Sequence, residues 1–69
     1  MKFELFDVVI TTTDLPEHGV KAGEVGTVVD VLHNPDAYYV EFASDKGETL
    51  ALVPLFASQI AFPEIRKAA

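Results

Sequence analysis

The run VKAGEVGTVVDV, residues 20–31, places two glycines in a segment that otherwise has the valine content of a β-strand. Valine favours strands, whereas glycine weakens them. Gly23 precedes the strand and suits a type II turn with Ala22 and Gly23 at its centre, because glycine accepts the positive φ of that turn. Gly26 lies inside the strand, where glycine is typical of a bulge, a sharp bend or the close approach of another strand. The segment therefore predicts a strongly bent strand of the kind that a small barrel requires.

The length and composition of the chain limit how such a fold is stabilised. Its 69 residues have the size of one domain, and chains of this length bury only about 60% of the surface that they expose when unfolded. A hydrophobic content of 49% argues against disorder. The sequence contains no cysteine, which excludes a disulfide framework and a thiolate metal site. Side-chain packing, with a partner subunit as one option, has to stabilise the fold.

Short apolar segments alternate with turn signals along the whole chain, and no segment predicts a stable helix. Gly47 closes a hairpin loop that begins at Ser44, and Pro54 is expected to end a strand because it lacks an amide hydrogen. We predict five strands, at residues 5–11, 24–32, 37–43, 48–54 and 59–62. The predicted fold is all-β, a small five-stranded SH3-like partly open barrel over residues 1–62, with a long loop between strands 1 and 2 and a tail at residues 63–69.

The apolar residues exceed what a barrel of this size encloses. Alternation along the third strand predicts a core face with Tyr38, Val40 and Phe42. The remaining predicted core residues are Val8, Ile10, Val25, Val28, Val31, Leu50 and Leu52. Contiguous apolar residues left over on a small protein are typical of an interface. The candidate protein interface is Leu15, Val20, Tyr39, Leu55, Phe56, Phe62 and Ile65. The alternative is that some of these residues plug the two barrel ends.

Two quoted stretches carry a resemblance to a known family. DLPEHGVKAGEVGTVV and VEFASDKGETLAL are its most specific parts, and the similarity extends over residues 5–60. The chain resembles domain-of-unknown-function family 4926, a group of small bacterial and archaeal proteins. The resemblance implies an SH3-like or KOW-type barrel. Because some members are encoded beside toxin-like genes, it also implies an antitoxin or immunity role as one option, and it transfers no functional residues to this chain.

The segment GEVGTVVDV is close to the KOW signature of nucleic-acid-associated barrels. Phosphate binding needs clustered lysine and arginine, because counterion release supplies much of the affinity. The net charge is −6, and Lys21 and Lys46 are the only lysine or arginine residues between Glu4 and Glu64. Nucleic acid is therefore disfavoured as a partner, and a KOW-like nucleic-acid or ribonucleoprotein-associated module stands as the alternative function.

Recognition of proline-rich peptides does not transfer with the predicted fold. The aromatic residues that line such grooves are missing from the long loop, and the chain contains no tryptophan.

Metal binding and catalysis have weak support in the sequence. His18 and His33 lie in polar, turn-rich segments, where histidine needs no ligand to explain it, so we predict that neither binds a metal. Ser44 and Ser58 have no adjacent base or oxyanion-type glycine loop. We expect no cofactor and no enzymatic activity.

These observations favour a non-enzymatic, acidic protein-binding module. A protein partner is expected, with an antitoxin- or immunity-like role for the product of a neighbouring gene, and a homodimer is a further option. Residues 1–10 carry Glu4 and Asp7 and lack the long uncharged run of a signal peptide or membrane span. We therefore expect a cytoplasmic protein that does not enter the membrane.

Overall fold

A computed structural model describes residues 3–33, 36–44 and 46–63 of the chain. Its strands are β1 (Val8–Thr11), β2 (Val25–Leu32), β3 (Ala37–Ala43), β4 (Thr49–Leu55) and β5 (Ile60–Ala61). Two short 3₁₀ turns, Pro16–His18 and Ala57–Gln59, precede β2 and β5 respectively. The strands form one antiparallel sheet in the order β4-β3-β2-β1-β5.

The all-β, five-stranded and partly open architecture predicted from the sequence is confirmed. Among the described residues β4 and β5 form the two ends of the sheet, so the sheet is not closed by a β4–β5 pair. A long loop, residues 12–24, connects β1 to β2 and contains the first 3₁₀ turn; we call it the β1–β2 loop. The predicted tail begins at Pro63, and its other residues lie outside the described part of the chain.

The edge strand β4 departs from the prediction at its end. Pro54 lies within the strand opposite Tyr39, and Leu55 continues the pairing opposite Tyr38. A proline is tolerated in an edge strand when its missing N–H faces away from the neighbouring strand. The expectation that Pro54 ends the strand was therefore wrong.

Two register shifts bend the sheet. One lies in β2 between Val28 and Asp30, and the other lies where β3 pairs with β4, between Phe42 and Ala43. An extra residue in one strand increases the local bend and changes which face the following residues occupy. In a regular strand, residues three positions apart face opposite sides. Because of the register shift, Val28 and Val31 both pack with the core.

The core lies on one face of the sheet, and its members include only part of the predicted set. Its buried members are Phe3, Val9, Val20, Val28, Tyr38, Val40, Phe42, Val53, Leu55 and Ile60. Val8, Val25, Leu50 and Leu52 are exposed instead of buried. Both faces of β1 and β4 carry apolar residues, so alternation alone did not identify the buried face. Pairing of Val53 with Val40, and of Leu55 with Tyr38, places these two β4 residues inside.

Two positions require glycine for different reasons. At Gly26 there is no room for a Cβ, and at Gly23 the backbone has a positive φ that other residues rarely adopt. A Cβ on Gly26 would lie 2.6 Å from Val40 Cγ1 and 3.0 Å from the Glu41 carbonyl oxygen and from Phe42 Cδ1. Gly23 has a φ of +92°, and the Glu24 N–H donates to the Lys21 carbonyl at 3.1 Å. Gly47, in the hairpin loop before β4, has a φ of +85°.

Candidate functional site

Uncompensated negative charge characterises the surface. The described carboxylates belong to Glu4, Asp7, Asp14, Glu17, Glu24, Asp30, Asp36, Glu41 and Glu48. The described lysines are Lys21 and Lys46. Within residues 3–33, 36–44 and 46–63, the ion pair found is His33 Nδ1 with Asp36 Oδ1 at 3.6 Å, and both side chains are exposed. The acidic groups therefore retain their capacity to attract a cationic partner.

A cleft of about 280 Å³ lies between the β1–β2 loop and the end of β4, and we call it the loop cleft. Val53 and Leu55 supply buried apolar surface to it. Its other lining residues are Asp14, Leu15, Pro16, Glu17, His18, Pro54 and Gln59. Its volume is near the lower end of ligand pockets, about 300–1,000 Å³. The loop cleft therefore has room for a group of about the size of one or two side chains.

Hydrogen bonds within the β1–β2 loop shape one wall of the loop cleft. The Leu15 N–H donates to the Val20 carbonyl at 2.7 Å, and the Val20 N–H donates back to Leu15 at 3.2 Å. Asp14 Oδ1 accepts the Ala22 N–H at 2.9 Å. These hydrogen bonds hold the loop residues to one another. The Val20 side chain is buried in the core, and it attaches the loop to the sheet.

Gln59 organises the opposite wall. Its Oε1 accepts the Phe56 N–H at 2.9 Å, and its own N–H donates to the Phe56 carbonyl at 2.8 Å. The Gln59 carbonyl accepts the Thr12 N–H at 2.8 Å, which joins the second 3₁₀ turn to the β1–β2 loop. Both walls of the loop cleft are thus held by hydrogen bonds within the chain.

The structure divides the interface residues predicted from the sequence among several locations. Val20 and Leu55 are buried core residues, so their assignment to an exposed interface was wrong. Their neighbours in space explain this, since Val20 anchors the loop and Leu55 pairs with Tyr38. Leu15 is half-buried beside the loop cleft. Tyr39 is half-buried opposite Asp30 and Pro54.

The two predicted interface phenylalanines remain about half exposed. Phe56 is 53% exposed. Phe62 packs against Phe3 with ring centroids 4.8 Å apart, and Phe3 packs edge-on against Tyr38 at 5.4 Å. Phe62 therefore contributes to covering the core as well as to the surface. Ile65 lies outside the described residues.

Besides Phe56 and Phe62, an apolar surface that the sequence did not predict lies on the outer face of the sheet, which is the face opposite the core. Val8 and Val25 are 49% and 57% exposed, and half-buried Ile10 lies directly opposite Val25. We call these three residues the outer apolar patch. Leu5 and Phe6 immediately precede it and are also exposed. The apolar character of both faces of β1 was the signal that this surface existed.

The described residues contain no cluster of metal-binding side chains. No three histidine or acidic side chains among them gather as a metal site would require. Ser44 Oγ accepts the N–H groups of Lys46 at 3.2 Å and Glu48 at 3.3 Å, which gives it a role in shaping the hairpin. No helix in the described part of the chain has both the length and the apolar character needed to cross a membrane.

Comparison with known proteins gives a family match. The family model with the description "Domain of unknown function (DUF4926)" matches residues 5–62, which include all five strands and both 3₁₀ turns. Neither the curated proteins nor the solved structures contain a match to the chain. The chain therefore belongs to the family of the domain of unknown function DUF4926.

Proposed function

We propose that this chain is a non-enzymatic, cytoplasmic protein-binding module that accepts a cationic segment of a partner protein in the loop cleft. The observation that carries the proposal is the combination of apolar and acidic residues around one preformed cleft. Leu15, Pro16 and Val53 provide apolar lining, while Asp14 and Glu17 provide carboxylates. A lysine or arginine side chain has a matching composition, with an apolar stem and a charged end.

The charge of the whole molecule supports the same type of partner. The net charge is −6, and the described carboxylates greatly outnumber the described lysines. The negative electrostatic potential of such a surface increases the rate of encounter with a basic protein and repels nucleic acid. An antitoxin or immunity partner that covers a basic neighbouring gene product is the specific role that we propose.

Association can be tested by co-expressing the chain with the products of adjacent genes and separating complexes by size-exclusion chromatography. We expect a stable complex with one of them. Glu17→Lys should weaken it by about tenfold or more, because it reverses a charge at the loop cleft. Glu48→Lys is the matched control, since it changes the net charge equally but lies outside the cleft lining. No complex, or equal effects of both variants, would contradict the proposal.

The KOW-like alternative makes a different prediction. Lys21 and Lys46 are the only lysine or arginine residues in the described part of the chain, against nine described carboxylates, whereas tracking a phosphate backbone requires a basic cluster. We expect no electrophoretic shift of RNA at low salt. A shift that decreases as salt is added would favour the nucleic-acid role over the protein-binding role.

A further inference from the structure

The turn that leads into β1 holds an aromatic residue in an unusual backbone conformation. The Asp7 N–H donates to the Glu4 carbonyl at 3.0 Å, and Asp7 Oδ2 accepts the Glu4 N–H at 2.8 Å. Phe6 occupies the third position with a φ of +70°, the single positive value at a non-glycine residue in the described part of the chain. Turns with positive φ at this position favour glycine or asparagine, and a bulky side chain is rarely found there.

Packing of the Phe6 side chain does not compensate for this strain. The residue is 73% exposed. The backbone is nevertheless attached firmly to β2, because the Phe6 N–H donates to the Val28 carbonyl at 2.6 Å and the Val28 N–H donates to Asp7 at 2.9 Å. Strained residues held by their surroundings are concentrated at binding and catalytic sites. Phe6 is therefore a candidate binding residue.

The surroundings of this turn indicate the chemistry of what would bind there. Leu5 is exposed in the same turn, and the outer apolar patch begins at Val8. Carboxylates of Glu4, Asp7 and Glu24 flank these apolar residues along the chain. A second copy would bring the same carboxylates together, which disfavours it. A complementary surface would instead combine an apolar depression with lysine or arginine side chains.

We propose that the turn at residues 4–7 and the outer apolar patch form a docking surface for a protein that presents an apolar depression bordered by lysine or arginine. Phe6 is the side chain that inserts into the depression. The backbone hydrogen bonds of Phe6 and Asp7 to Val28 fix the position of the Phe6 backbone before binding, so less conformational freedom is lost on association. This surface shares no residue with the loop cleft. It therefore adds a second contact to the proposed function and does not depend on it.

The probe for this surface is an amphipathic helix–turn–helix peptide of leucine and lysine, which presents an apolar groove between its two helices, with a leucine and glutamate peptide of the same design as its control. Fluorescence anisotropy measures binding to the full chain, and backbone amide shifts locate it. We expect the lysine peptide alone to bind and to shift the amides of Phe6, Val8 and Val25. Phe6→Ala and Phe6→Gly should each weaken binding by about tenfold or more. Leu50→Ala, which shortens an exposed apolar side chain on β4, should leave affinity unchanged.

The two Phe6 variants also separate strain from docking. Alanine retains a Cβ and therefore the strain, whereas glycine relieves it. Phe6→Gly should melt roughly 4–8 °C above Phe6→Ala, the range for about 1 kcal/mol in a small domain. Equal melting temperatures would overturn the strain argument.

Two results would place the peptide elsewhere and overturn the docking surface. One is unchanged affinity in Phe6→Ala, and the other is loss of binding in Glu17→Lys instead. A concentration-dependent dimer that disappears in Phe6→Ala would make the occupant a second copy.

Discussion

At the residue scale, the glycines of this chain meet two different physical requirements. Gly26 is needed because β3 crosses so close that no Cβ fits beside Val40. Gly23 has open space around it, and its requirement comes from its φ of +92°. A substitution at Gly26 is therefore opposed by packing, whereas a substitution at Gly23 is opposed by backbone strain.

Substitution of Gly26 tests the packing requirement. We expect Gly26→Val to lower the free energy of unfolding by about 1–3 kcal/mol or more, because the added atoms overlap Val40 and Phe42. Thr27→Val, the next position along β2, should change it by less than about 0.5 kcal/mol because Thr27 is only half-buried. Urea denaturation measures both variants. A Gly26→Val protein as stable as the parent would mean that β2 and β3 are farther apart.

Substitution of Gly23 tests the strain requirement. Gly23→Ala should destabilise the protein by roughly 1 kcal/mol, since no neighbouring atom obstructs the methyl group but the φ disfavours it. Gly23→Asn should cost less, because asparagine tolerates this conformation better than alanine. Thermal unfolding compares the two variants. Equal losses would argue that the φ is not the cause.

At the element scale, β4 shows how pairing decides which residues are buried. Leu55 is 2% exposed and Leu52 is 53% exposed, although both are leucines of the same strand. Leu55 pairs with Tyr38 on the core face, and Leu52 lies opposite Glu41 on the outer face. The edge strand thus presents apolar residues to both sides, and its burial cannot be read from hydrophobicity alone.

The two leucines provide a matched pair for testing this assignment. Leu55→Ala should lower the free energy of unfolding by about 2–5 kcal/mol, because it removes buried atoms and leaves a cavity. Leu52→Ala should change it by less than about 1 kcal/mol, since the side chain is already half in water. Chemical denaturation of both variants gives the comparison. A larger loss for Leu52→Ala than for Leu55→Ala would mean that the pairing of β4 with β3 is shifted by one residue, which exchanges the two faces of β4.

At the scale of the whole molecule, net charge and exposed apolar surface have opposite effects on self-association. A net charge of −6 on 69 residues favours separate molecules. Exposed Phe56 and half-exposed Phe62 favour association. Salt weakens the repulsion between acidic molecules and leaves apolar contacts intact, so it shifts this balance.

The homodimer that the sequence offers as an option remains a prediction of this balance. Leu55 is buried, so within the described residues the candidate self-association surface consists of Phe56 and Phe62, while Ile65 lies outside the described residues. Sedimentation equilibrium at increasing salt should show a growing dimer fraction that Phe56→Ser abolishes. Phe56→Ser is more informative than Phe62→Ser because Phe62 also packs against Phe3. A molecule that stays monomeric at high salt and high concentration would contradict this expectation.

Local chemistry was sufficient to predict the five strands, the partly open sheet and the long β1–β2 loop. Valine-rich segments and turn residues act within a few positions of one another, so their effect is visible without the fold. The same reasoning predicted the core face of β3, where Tyr38, Val40 and Phe42 alternate with less apolar residues. It also singled out Gly26 as a position of bending or close approach.

Only the folded chain decided which faces of β1 and β4 are buried and where a binding cleft forms. Both faces of these strands carry apolar residues, so long-range register selects the buried face. The loop cleft unites Asp14 and Glu17 with Val53, which are distant in the sequence. The turn that contains Phe6 is likewise attached to another strand by the hydrogen bond from the Phe6 N–H to the Val28 carbonyl. Such features depend on contacts between distant residues, which a local pattern does not encode.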